Sequence, residues 1–341
     1  MPTYRTATVT EIIGERTGLQ RVRVSGLPQG DRAYCLTQLV GTVAVGDEVV
    51  VNTTAVELGL GTGGWHVVHW NRSRHELHHP GPDHIMKLRY TSLQLDAGTD
   101  ELRHPDLGDT LDGTPVVACV VHSQVAAVAA VVKLLAPDAR VAYVMTDGAA
   151  LPLALSDLVD ELRSRALIDA TVTAGHAFGG DLEAVGVPSA LQLAVHVAQA
   201  DIVIVGIGPG VVGTGTAFGH TGVDAAWALS TTSALGGQAV LAVRASDGDP
   251  RPRHQGVSHH TDAILRLAGG PVWVAPIPEE IASRPNARVR VLEIPDTVGL
   301  LARLGLEVTT MGRLPEADPL YFQTAGAAGA VAVDLMVDQL Q

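Results

Sequence analysis

The chain of 341 residues has little of several things, and each shortage narrows what it does. Lysine is nearly absent: Lys87 and Lys133 are the only two, so almost all positive charge is arginine. The formal net charge is −13, which argues against nucleic acid as a partner, because neutralising phosphates takes a basic face. Cysteine is limited to Cys35 and Cys119, far apart and each in a strand-like context. At this size that excludes a disulfide scaffold, and a reduced, cytoplasmic protein is expected. Aromatic residues make up 4%, so Val, Ala and Leu must build the core, and a hydrophobic share of 46% supplies them. The opening stretch MPTYRTATVTEIIGERTG has no apolar h-region, so no signal peptide is expected. Long hydrophobic runs are also missing. The nearest, VVACVVHSQVAAVAAVVKLLA at 116–136, is interrupted by His122, Ser123, Gln124 and Lys133, and reads as a buried strand followed by a buried helix. No membrane partner is expected.

What is present divides the chain. Residues 1–72 alternate in short β-branched runs separated by turns, roughly every 8–12 residues, the pattern of a small β-barrel. Six arginines balance six acids there, and an oligonucleotide-binding barrel would be basic with stacking aromatics, so the barrel reads as a structural or oligomerising module. Residues 73–113 form a polar connection rich in histidine and proline, too long for a plain linker. From Thr114 to the end, strands and helices alternate. Strands are expected at 116–121, 140–145, 168–174, 201–207, 238–244, 271–275 and 288–293, with helices at 123–135, 152–165, 188–199, 222–235, 259–268, 296–304 and 324–339. This predicts an α/β fold with a doubly wound, mostly parallel, Rossmann-like sheet.

The strand at 201–207 runs into GIGPGVVGTGTAFGHTG. Gly208, Gly210 and Gly213 satisfy G-x-G-x-x-G, but no helix begins at the third glycine and no acid closes the next strand, so the usual dinucleotide site is not expected. No lysine follows Gly213, which excludes a Walker loop. What remains is physical. Gly206, Gly208, Gly210, Gly213 and Gly215 permit close backbone approach, Thr214 and Thr216 add hydroxyls, and amides near a helix N-terminus attract an anion. The bland alternative is a long structural turn. Thr221 and Asp224 read as a capping box for the next helix.

Other strand ends converge on the same rim in a parallel sheet. They deliver His122 and Ser123, then Thr146 and Asp147, then His176, then Arg244 and Asp247. A neutral histidine supplies acid–base chemistry, a buried aspartate orients it, and an arginine clamps an anion. The reading is a small anionic ligand, phosphorylated or nucleotide-like, bound on the 206–221 loop. His122, Asp147 and His176 are the candidates for acid–base or group-transfer chemistry, and Arg244 is the clamp. Taken singly, each also has an ordinary structural role. His259 and His260 open a helix behind Ser258, an N-cap residue, and are expected to stay neutral unless an anion is near.

HELHH at His75–His79 matches the zincin pattern, but Pro80 follows at once and disfavours the helix that pattern requires. A metal-dependent hydrolase built on the histidines of 66–84, with Glu101 as a distant third ligand, is the first alternative function. A non-catalytic ligand sensor or scaffold is the second. The segments PDHIMKLRYTSLQ, YVMTDGAALP and GIGPGVVGTGT resemble an uncharacterised bacterial family classed only as a domain of unknown function. That resemblance implies a cytoplasmic bacterial protein and no particular activity. The small residues of TAGAAGAVAVDLMVDQL suit close helix packing, against the chain's own sheet or in a homodimer.

Overall fold

A computed structural model of the chain describes residues 1–61 and 63–339; Thr62, and Leu340 and Gln341 at the end of the α/β stretch, lie outside the described residues. The chain forms two compact units, Met1–Gly98 and Thr99–Gln341. The histidine-rich connection is therefore shared between them.

The first unit is a closed barrel of β1 (Tyr4–Arg16), β2 (Leu19–Ser25), β3 (Arg32–Leu36), β4 (Glu48–Asn52) and β5 (Trp65–Asn71), joined in the order β1-β2-β3-β5-β4. The β3–β5 pair is parallel and the others are antiparallel. Register shifts at Val9/Glu11 and Ile12/Gly14 bend β1, which pairs with both β2 and β4. Val9, Val22, Val24, Val49, Val51 and Val68 fill the interior. Tyr34 stacks on Trp65 at 4.6 Å, with Arg32 4.8 Å from the Trp65 ring.

The second unit is an eight-stranded sheet with helices on both faces. Its strands are β6 (Pro115–Cys119), β7 (Val141–Thr146), β8 (Ala170–Ala174), β9 (Leu182–Ala184), β10 (Ile202–Ile207), β11 (Gln238–Ala242), β12 (Val272–Val274) and β13 (Ala287–Val289). They lie in the order β9-β8-β7-β10-β6-β11-β12-β13, every pair parallel. The central strands are buried at every position and almost wholly apolar, because both faces are covered. The helices are α1 (Gln124–Leu135), α2 (Asp157–Ser164), α3 (Val187–Gln192, continuing as a π turn), α4 (Asp224–Ala234), α5 (His259–Leu267), α6 (Thr297–Leu304) and α7 (Pro319–Gln339).

The 116–136 run resolves into β6 and α1, as its interruptions predict. Among the described residues α7 is long and apolar enough to cross a membrane, yet 72% of its apolar stretch is buried inside the unit. Its small residues allow that: a Cβ on Gly329 would stand 2.7 Å from the Val128 carbonyl oxygen of α1.

Winding direction sets the site. After β6 the chain turns to α1, which packs with α6 and α7 on one face; after β10 it turns to α4, which packs with α3 and α5 on the other. β6 and β10 are neighbours, so their loops diverge and a crevice opens between the strand ends. The fully buried Gln124 ties the end of β6 to that of its other neighbour, β11. Its Oε1 accepts from the Val120 amide at 2.8 Å, and its Nε2 donates to the Ala242 and Val243 carbonyls at 3.0 and 3.2 Å.

Candidate functional site at the sheet rim

At this switch point lies a cleft of about 350 Å³, bounded by His122 and Ser123 after β6, Pro209 and Gly210 after β10, Asp157 and Glu161 on α2, and Thr309–Met311 after α6. His122 Nδ1 is 3.1 Å from the Ile207 carbonyl oxygen, and Nε2 is 2.7 Å from Ser156 Oγ. A carbonyl partner puts the proton on Nδ1, so Nε2 accepts from the Ser156 hydroxyl. Burial pulls the His122 pKa down to about 4, with the Ile207 carbonyl opposing, so the ring is neutral near pH 7. Ser156 Oγ also accepts from the Val159 amide at 3.1 Å and caps α2. Ser123 Oγ meets the Tyr321 hydroxyl at 2.7 Å, and burial pushes that phenol up to about 12. The described lining carries Asp157, Glu161 and Glu307, with the neutral His122 and no lysine or arginine. Positive potential for an anion must come from beside the cleft.

The glycines of the loop divide by role. Gly206 and Gly208 are packing positions: added Cβ atoms would stand 3.1 Å from Cys119 Cβ and 2.6 Å from the Ala150 carbonyl oxygen. Gly210 has φ +97° with open space around a would-be Cβ, and it faces the cleft. From Gly213 to His220 the loop closes on itself. Thr214 N donates to the Gly219 carbonyl at 2.8 Å, Thr214 Oγ1 lies 2.9 Å from Thr216 Oγ1, and Gly219 N donates to Thr216 Oγ1 at 3.2 Å. Both hydroxyls are thus used within the turn. Gly215, at φ +81°, lies beside the Arg253 guanidinium. Thr221 Oγ1 accepts from Val212 N at 3.1 Å rather than capping α4, which begins only at Asp224 after a 3-10 turn, so the expected capping box does not form.

The positive potential sits on the far side of this loop. Arg244 follows β11 and is 3% exposed. Thr261 fixes its backbone, accepting from Arg244 N at 3.0 Å and donating to Arg244 O at 2.9 Å. Its Nη1 donates to Nδ1 of His260 at 2.7 Å. Among the described residues it forms no ion pair, and the buried Asp249 is held instead by Arg251 at 2.6 Å and Arg313 at 3.2 Å. Burial lowers the Arg244 pKa, and Tyr321 opposes that shift.

Around Arg244 stand four imidazoles. His260 stacks on His220 at 3.5 Å and 3°. His254 Nδ1 lies 2.7 Å from Ser258 Oγ, and that hydroxyl caps α5 by accepting from His260 N. One nitrogen from each of His254, His259 and His260 falls within 4.8 Å of the others. Among the described residues, both ring nitrogens of His220 and Nε2 of His259 are buried without a hydrogen-bond partner. Burial is the main cause that depresses all four, His220 to about 4 and His254 to about 3, and Arg244 adds to each shift. His259 and His260 therefore stay neutral, as their place at a helix N-terminus predicts. Their meeting with His220 and His254 is not visible in the spacing of 34 and 5 residues that separates the positions. Three histidines within seven residues, straddling an N-cap serine, were the available signal.

The remaining rim residues lie apart. Asp147 and His176 do meet, but Asp147 Oδ2 accepts from the His176 backbone amide at 2.9 Å, closing a turn. The buried Thr146 donates to Asp224 Oδ2 at 3.4 Å, and Asp224 is raised by burial and then by the Asp147 charge. Asp247 is exposed, its backbone amide donating to Asp318 at 3.3 Å. In the barrel unit, His66 Nε2 lies 2.7 Å from the Gln29 carbonyl. The 75–79 stretch is not helical, and Glu101 accepts from Val185 N at 2.9 Å in the second unit. Among the described residues no metal-ligating group of three forms in the 66–84 stretch.

A family model described as a protein of unknown function, DUF3866, matches residues 32–329. The chain belongs to DUF3866. The resemblance to an uncharacterised family holds over most of the sequence. No curated protein matches this DUF3866 chain. It is similar to the crystal structure of YjeQ from Thermotoga maritima at 12% identity and a TM-score of 0.14, over 60% of this chain and 52% of that one. The chain thus spans about half of that protein, and a likeness of this size says nothing about what the DUF3866 chain binds.

Proposed function

We propose that the second unit binds a small anionic ligand, phosphorylated or nucleotide-like, at the rim beside the switch-point crevice. Arg244 is the group that recognises its charge. The observation that carries this reading is a guanidinium that is almost fully buried and has a neutral imidazole where a carboxylate would be expected. Burying a charge is costly unless it is paired, and a bound anion would supply the partner. Gly210 leaves the backbone open on the cleft side, and the neutral rings of the nest offer donors on the other. The Thr214 and Thr216 hydroxyls contribute by shaping the turn rather than by touching the ligand. In acid–base chemistry His122 would act through the Ser156 hydroxyl, while Asp147 and His176 hold a neighbouring turn.

The test is native mass spectrometry of the untagged chain beside its denatured spectrum, followed by calorimetric titration with inorganic phosphate and with a nucleoside monophosphate. A retained anionic mass, or saturable binding, is expected in the parent. Arg244→Gln should weaken it by roughly 10–100-fold, the worth of a charge-assisted hydrogen bond. Equal affinity in Arg244→Gln removes the assignment.

A further inference from the structure

We propose that His254, His259 and His260 form a binding site for a divalent transition-metal ion of the zinc class. Their ring nitrogens already fall within 4.8 Å of one another. Zinc–nitrogen bonds of about 2.0–2.1 Å in tetrahedral geometry set ligand nitrogens roughly 3.4 Å apart, a contraction that side-chain rotation covers. The donors are all imidazole nitrogen, with neither thiolate nor carboxylate among the three. That composition excludes calcium and magnesium, which take oxygen, and suits zinc, nickel, copper or cobalt.

Two further observations point to a ligand. Among the described residues, Nε2 of His259, one of the three, is buried with no partner, a cost that coordination to an ion would relieve. Ser258 provides the kind of outer support that metal-binding histidines have: one hydroxyl caps α5 and meets His254 Nδ1 at 2.7 Å, fixing that ring against the helix carrying the other two. His254 ends a short 3-10 turn, while His259 and His260 form the first turn of α5, so the set stands on regular backbone.

Arg244 is the opposing feature, since it donates to His260 Nδ1 at 2.7 Å. Metal uptake through that nitrogen would exchange the hydrogen bond for a coordinate bond and release an Arg244 N–H. A three-histidine set also leaves a fourth coordination position for a ligand. An anion there would meet two cations, which deepens the anion reading given above. Metal binding itself does not depend on that reading.

The experiment uses the untagged full chain, purified without chelator and titrated with Co²⁺, then with Zn²⁺ against a chromophoric competitor. About one equivalent per chain is expected, with the visible absorption of nitrogen-coordinated cobalt. His254→Gln and, separately, His259→Ala should each weaken uptake by at least about 10-fold, while the double change His75→Ala/His78→Ala leaves it unaltered. The gentler His254→Gln guards against misfolding in the other variant. Absence of stoichiometric uptake in the parent, equal uptake in His254→Gln, or loss in the His75/His78 variant overturns the site. A parent that binds cobalt but not phosphate keeps this site and loses the anion reading. One that binds phosphate but not cobalt does the reverse.

Discussion

Gly210 shows what a single position at the rim has to do. Its φ of +97° lies where side chains are strained, and the space beyond its would-be Cβ is open. A β-branched residue there is penalised by the backbone and would project into the cleft. Gly210→Val should therefore cut ligand affinity sharply while circular dichroism and the melting temperature of the barrel unit stay near the parent values. Unchanged affinity would move the ligand off this loop. Gly206 differs in kind. Its would-be Cβ meets Cys119, so substitution there should damage the sheet before it touches any ligand. Two glycines four residues apart look alike in sequence, and only their neighbours separate a packing role from an open one.

At the scale of elements, the contact of α7 with α1 gives the sharpest case of competing effects. Gly329 lies mid-helix, where alanine is favoured by about 1 kcal/mol on propensity alone. The added Cβ would stand 2.7 Å from the Val128 carbonyl oxygen, which belongs to backbone and cannot rotate away. Overpacking of this kind costs about 1–3 kcal/mol, so Gly329→Ala should destabilise the chain on balance, as read from urea unfolding. A stabilised variant would mean that the two helices have slack between them. The same elements show how much the sequence discloses. The barrel strands, β6 to β8, β10 to β12 and the helices from α1 to α7 follow from periodicity and apolar runs. Boundaries slip where local chemistry decides: α2 starts at Asp157 rather than 152 because Ser156 caps it, and α3 ends in a π turn. The candidate site was legible only in part. Strand ends announce the rim, and His122, Ser123 and Gly210 do reach one cleft. The histidine nest draws on three separate segments, and no one-dimensional pattern brings His220 to His260.

For the whole molecule, the buried histidines tie stability to pH. His122 falls from an ordinary value of 6.5 to about 4 because burial favours its neutral form. Above pH 6.5 it is neutral whether the chain is folded or not, and it has no effect on stability. As pH drops below 6.5 the unfolded chain takes up a proton that the folded chain refuses, so stability falls until about pH 4 and then levels. The contribution is about 2 kcal/mol at pH 5 and about 3 kcal/mol at most. Urea midpoints should decline between pH 7 and pH 5, and His122→Gln should decline less steeply. Parallel slopes in the two proteins would remove His122 from the account.

The clamp made by Gln124 has a consequence for how such a protein is remodelled. Every partner it holds is a main-chain atom, Val120 N and Val121 N beyond β6 and the Ala242 and Val243 carbonyls at the end of β11. The joint is therefore indifferent to whatever side chains occupy those places. Side chains beyond the ends of β6 and β11 are free to be exchanged above a footing that does not register the change, so this part of the rim is a natural graft point for new specificity.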